Sequence, residues 1–215
     1  MKLTWANRLT ILRMLLIVPF VSCMLKINEP DGGELMRYIA FAIFLFMALS
    51  DALDGYLARA RRQVTTLGTF LDPLADKLLM ACACLLLVSP RSHVEGFNLP
   101  STVVVLIIGK DVLLLIGFII VYFITSSVRI VPVFIGKLAT ALQLSMVAGI
   151  LIGPEMSNLI GWWIWVMRLL WWAAAGAAVL STLVYIRDGS RYIEQFENNV
   201  KRESTGVIGP QEQKK

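Results

Sequence analysis

Long apolar runs separated by short polar segments make up most of this chain. An α-helix rising 1.5 Å per residue needs about 20 such residues to cross the hydrocarbon core of a bilayer. The pattern predicts six membrane helices, over residues 9–26, 35–61, 66–88, 101–124, 133–153 and 161–186. The second exceeds a minimal span, so it has length to tilt or protrude. Residues 1–8, MKLTWANR, are short, basic and carry Trp5, which suits an interfacial helix with its ring at headgroup depth. A signal peptide competes for this end, but no small-residue cleavage site is clear and Arg13 interrupts the apolar run. The breaks at 27–34, INEPDGGE, and 89–100, SPRSHVEGFNLP, are rich in turn residues, and 125–132 and 154–160 read as shorter loops. The sixth helix is dense in Trp at 162, 163, 165, 171 and 172, an aromatic belt extended by packing. Beyond Arg187 the chain turns polar, and 200–215 reads as a disordered tail on a single membrane domain of residues 1–199. No internal repeat is visible.

Composition agrees with this all-α integral membrane class. Of 215 residues, 57% are hydrophobic and 16% charged, too few charges to cover a soluble domain of this size. The net charge of +5 comes from cations beside the apolar runs rather than from a separate basic module, which argues against nucleic-acid binding. Lys2, Arg8, Arg59, Arg61, Arg62, Arg129, Arg187 and Arg191 fall at one set of helix ends; Lys26, Arg37 and Arg91 fall at the other, among several acids. The positive-inside rule then puts both termini and the 51–76 region in the cytoplasm, as an even number of spans requires. Cys23, Cys82 and Cys84 sit in apolar surroundings and read as packing residues; His93, in a polar loop, is assigned no role.

Polar residues inside the apolar runs carry the candidate chemistry. Asp51 and Asp54 fall within one arc of the second helix with Gly55 and Ala58, while Gly68, Asp72 and Asp76 make a stripe on the third. Two carboxylate-bearing faces can oppose each other. Each aspartate would cost at least ~2.5 kcal/mol in lipid, so the faces must line a wet cavity open to the basic side. Four clustered carboxylates repel unless a hard cation neutralises them, and Mg²⁺ or Mn²⁺ fits oxygen donors of this kind, with one or two ions on Asp51, Asp54 and Asp72 and with Asp76 shared or nearby. Pro73 removes a backbone donor beside Asp72 and can loosen the helix there. Further intramembrane polar groups are the pair Lys110–Asp111, the arc of Asn7, Thr10 and Arg13, and a stripe from Lys137 through Thr140 to Gln143 or Leu144. Two other readings compete: aspartates merely paired with Arg59, Arg61, Arg62 and Lys77, or a permeation site in a small ion or metal transporter. Neither needs small residues at fixed offsets, and a transporter would be expected to show repeated halves.

The spacing Asp51-x2-Asp54-Gly55-x2-Ala58-Arg59-x8-Gly68-x3-Asp72-x3-Asp76 resembles, at every fixed position, the signature of the CDP-alcohol phosphotransferase family. That resemblance implies transfer of a phosphatidyl group from CDP-diacylglycerol to an alcohol with release of CMP. It implies Asp76 as the base on the acceptor hydroxyl and Arg59 on a phosphate. It also implies a nucleotide site made by Asp51, Gly55, Ala58, Arg59 and Gly68, with Asn7 and Thr10 nearby, and a homodimer. NRLTILR, FLDPLADKLL and GKLATALQ resemble phosphatidylglycerophosphate synthases, whose acceptor is sn-glycerol 3-phosphate; Arg129, Lys137 and Lys110 are then the candidate cations for its phosphate. The stretches after Lys110-Asp111 and Pro132 also look like the CDP-alcohol type of cardiolipin synthase, whose acceptor is phosphatidylglycerol. Ala139 stands where the synthases usually carry a second basic residue.

Overall fold

The computed structural model describes residues 5–61, 66–125 and 134–204; the side chains of 5–7, 52–74, 118, 120–125, 134, 192, 193 and 195–204 lie outside that description. The described residues form seven helices and no strand: α1 (Trp5–Met24), α2 (Gly33–Arg61), α3 (Thr66–Val88), α4 (Ser101–Thr125), α5 (Phe134–Leu151), α6 (Gly153–Leu159) and α7 (Trp163–Ser204). The breaks at 25–32 and 89–100 follow the predicted polar segments. At the first, Gly32 takes a φ of 88°, a left-handed turn that residues with a Cβ rarely adopt.

Packing partners define the architecture. α1 lies against α2 and α3, α5 against α2 and α3, and α7 against α4 and α5, while α3 also touches α4. The helices therefore close two four-membered rings, α1–α2–α5–α3 and α3–α4–α7–α5, which share the α3–α5 edge. Among the described residues α2 makes no extended contact with α3, nor α4 with α5. One apolar core runs through both rings, with Phe20, Phe44, Leu79, Ile107, Met146 and Ile150 almost wholly buried. Outward-facing positions are equally apolar: Leu15, Val18, Val105, Leu169 and Leu183 are all exposed. A water-soluble surface would not carry such a continuous apolar girdle. By length and composition Gly33–Asp51 and Trp163–Arg191 can each cross a bilayer, and α5 with α6 makes a third candidate bent by 75°. The chain is a membrane protein.

Three boundaries differ from the sequence reading. The helix is continuous from Trp5, so residues 5–8 belong to the first turns of α1. Residues 153–159, expected as loop, form α6, with Pro154 in the first turn, where its missing N–H costs nothing, and Glu155 beside it. α7 runs on to Ser204, past residue 186, where the sixth helix was expected to end.

A polar latch holds the end of the bundle remote from the aspartates. The buried Arg37 guanidinium donates to the Leu151 carbonyl at 2.7 Å, one of the carbonyls left open where α5 stops. It also makes a two-pronged contact with Glu155, one arm at 2.7 Å. Tyr38 Oη donates to Glu155 at 2.6 Å. The bend between α5 and α6 is thereby tied to the start of α2.

Candidate active site

Asp51 on α2 and Asp76 on α3 lie near enough for the charge of one to act on the other. The Asp51 side chain is half exposed, as a carboxylate open to water and solutes should be. Asp76 is more enclosed and lies within the electrostatic reach of Asp51, Arg13, Lys77 and Asp111. It stands on α3, a helix common to both rings.

Arg13 answers Asp51 from α1. Its Nη1 donates to Asp51 Oδ1 at 2.6 Å, and the arginine side chain is buried. Thr10, one turn earlier on α1, is buried as well. The arc of Thr10 and Arg13 predicted from spacing therefore turns into the ring. The sequence placed Arg13 on that arc without identifying its partner. A lone arginine in an apolar run was the available signal, since such a charge needs a counter-charge inside the bundle.

A second charged group lies across the α3–α4 contact. Lys77 Nζ donates to Asp111 Oδ1 at 2.6 Å, and Lys110 Nζ lies 2.8 Å from the same oxygen. Lys110 and Asp111 are buried, while Lys77 keeps about a third of its surface. Lys77 is therefore paired with Asp111 across the α3–α4 contact. Lys137 is exposed at the opening turn of α5, and Thr140 spends its hydroxyl on the Gly136 carbonyl at 3.2 Å.

Other predicted site residues are placed by helix alone. Asp54, Gly55, Ala58 and Arg59 continue α2 beyond Asp51, Gly68 and Asp72 precede Asp76 on α3, and Asn7 opens α1; their side chains are outside the description. Arg129 lies outside the described residues. Asp51 and Asp76 offer hard carboxylate oxygens from two helices, and that chemistry fits Mg²⁺ or Mn²⁺. No group of three acidic, His or Cys side chains forms a complete cation cage among the described residues.

A helical membrane bundle with opposed carboxylates, flanked by buried cations, is the architecture of an enzyme acting on phosphate esters at a lipid surface. The chain belongs to the CDP-alcohol phosphatidyltransferase family, whose model matches residues 3–183. It is 42% identical over 106 residues to a CDP-diacylglycerol–glycerol-3-phosphate 3-phosphatidyltransferase of Pseudomonas fluorescens, a match covering 49% of this chain and 50% of that one. The Yersinia enterocolitica protein of the same name is 32% identical over 72% of this chain and 80% of its own length. Human cardiolipin synthase (CMP-forming) is 30% identical over 74% of this chain, which spans 56% of the human protein.

Proposed function

We propose that this protein transfers the phosphatidyl group of CDP-diacylglycerol to sn-glycerol 3-phosphate, releasing CMP and forming phosphatidylglycerophosphate, a step of phospholipid biosynthesis. The observation that supports this reading is that the half-exposed Asp51, held by Arg13, lies within electrostatic reach of the more enclosed Asp76, in a chain of the CDP-alcohol phosphatidyltransferase family.

Asp51, Asp54, Asp72 and Asp76 would hold one or two Mg²⁺ or Mn²⁺ ions. Divalent charge at that point offsets the repulsion between carboxylates and pyrophosphate and makes phosphorus more electrophilic. Gly55, Ala58 and Gly68 leave the helix surfaces open to the nucleotide, with Asn7 and Thr10 beside it and Arg59 on a phosphate. The acceptor hydroxyl oxygen attacks the diacylglycerol-linked phosphorus as the bond from that phosphorus to the CMP oxygen breaks. The proton passes to Asp76, the carboxylate nearest the shared edge, and CMP leaves as a phosphate monoester. Positioning and charge neutralisation supply most of the rate. Arg129, Lys137 and Lys110 receive the acceptor phosphate.

The same reading gives six spans, with both termini and the aspartates on the cytoplasmic side, where CDP-diacylglycerol presents its pyrophosphate at headgroup level. The functional unit is a homodimer, and residues 1–199 form one domain, followed by the polar tail.

Human cardiolipin synthase as a relative, together with the Lys110–Asp111 pair and Ala139, favours a second reading in which phosphatidylglycerol is the acceptor. A panel of glycerol 3-phosphate, phosphatidylglycerol, serine and inositol phosphate, with CMP and the lipid product measured, decides between them. Phosphatidylglycerophosphate as the main product supports the first reading; cardiolipin overturns it.

A further inference from the structure

Gln143, on the shared-edge helix α5, is the one buried side chain of the bundle interior whose amide nitrogen and amide oxygen both lack a partner among the described residues. It is 1% exposed. A primary amide left open at both ends is costly in any protein interior, and more so in a bundle surrounded by lipid. Its neighbour on the polar stripe, Thr140, is spent on Gly136, and Lys137 lies about 9 Å nearer the surface at 1.5 Å per residue. Among the described residues, then, both ends of the amide are open to a partner.

Its surroundings indicate what that is. Gln143 lies about 12 Å along α5 from Leu151, and Lys110 about 13.5 Å along α4 from Ser101, both measured from the latch end. Asp76 is about 18 Å along α3 from Val88. Each of these groups thus lies two or more turns inside its own helix, as does Asp111, which the two ammonium groups share. α3, which carries Asp76, and α5, which carries Gln143, pack on each other. Ser181 on α7, the helix closing the second ring, also has a buried hydroxyl without a partner.

We infer that Gln143 is the specificity residue for the acceptor's secondary hydroxyl: its amide pairs with the glycerol hydroxyl next to the one that attacks. A single alcohol both donates and accepts, which is what an amide open at both ends requires. The inference rests on the proposed transfer to a glycerol-based acceptor. Glycerol 3-phosphate and the head group of phosphatidylglycerol both carry this hydroxyl, so the chemistry is shared and the test must separate the two sources.

The experiment compares full-length wild type and Gln143→Leu in lipid nanodiscs, with CMP release as the readout. Each is given glycerol 3-phosphate or 1,3-propanediol monophosphate, which lacks the secondary hydroxyl, and, in a second arm, phosphatidylglycerol or its analogue lacking the same head-group hydroxyl. Wild type should prefer the hydroxylated acceptor of its own arm by roughly ten- to hundredfold in kcat/KM. Gln143→Leu should erase that preference, leave the rate on the deoxy compound unchanged, and keep the donor KM within about twofold. Leucine fills similar space and removes an unpaired amide, so the variant's thermal midpoint without acceptor should equal or exceed that of wild type. A preference that survives in Gln143→Leu overturns the inference, as does a lowered midpoint with unchanged selectivity, which assigns the amide to structure. A wild type that transfers to neither glycerol acceptor overturns the proposed function, and this inference with it.

Discussion

Single residues divide by whether their partner lies nearby in sequence or across the bundle. The aspartates of the 51–76 stretch announce themselves by spacing, because three- and four-residue intervals on a helix bring side chains to one face. Arg13 does not announce its partner: the Asp51 carboxylate it meets is 38 residues away. Lys77 shows the same limit, since adjacency suggests Asp76 while the ammonium goes to Asp111. Asp51→Asn and Asp76→Asn should each lower transfer by at least about 100-fold at limiting Mg²⁺ in protein that still elutes as a folded species, measured as CMP release; near-normal activity in both would remove them from the chemistry. Lys137→Ala should raise the acceptor KM roughly tenfold or more, the value of one charge-assisted contact of ~1.5–3 kcal/mol, while the donor constant moves far less. Initial rates over a matrix of both substrates separate the two constants.

Helices were legible wherever an apolar run set their length, and less so at their ends. α3 matches the predicted 66–88 span, whereas α6 was expected as loop, because a seven-residue helix opened by Pro154 carries too little pattern to register. What holds α6 is the buried Arg37 from α2, a contact across 118 residues. Glu155→Gln weakens that charge-assisted pair and leaves the arginine cation poorly compensated. It should lower stability by about 1.5–3 kcal/mol, read from the thermal midpoint in nanodiscs, with activity per folded molecule retained. Unchanged stability would reduce the latch to a surface ion pair. On α2 itself, Gly55→Leu and Ala58→Leu add bulk to the arc that carries Asp51, and donor affinity measured by direct binding of CDP-diacylglycerol should fall in both. If affinity holds, the small residues serve helix packing.

For the whole molecule, the distribution of loop cations makes a topological prediction. In a variant with Cys23, Cys82 and Cys84 replaced, Glu95→Cys should react with a membrane-impermeant maleimide in intact cells, and Arg187→Cys only after permeabilisation; the reverse pattern inverts the proposed orientation. Periodicity and hydropathy by themselves determined that the chain is helical and apolar enough for a membrane, and the spacing of its aspartates determined the family, because those properties are local and repeat every few residues. Only the tertiary structure decided that Arg13 meets Asp51, that α3 and α5 form the edge shared by two rings of helices, and that Gln143 is buried without a partner among the described residues. The reason is physical. A helix pattern states which side faces inward, but the partner it meets there is set by how several helices fill one interior, and that depends on contacts between residues tens of positions apart.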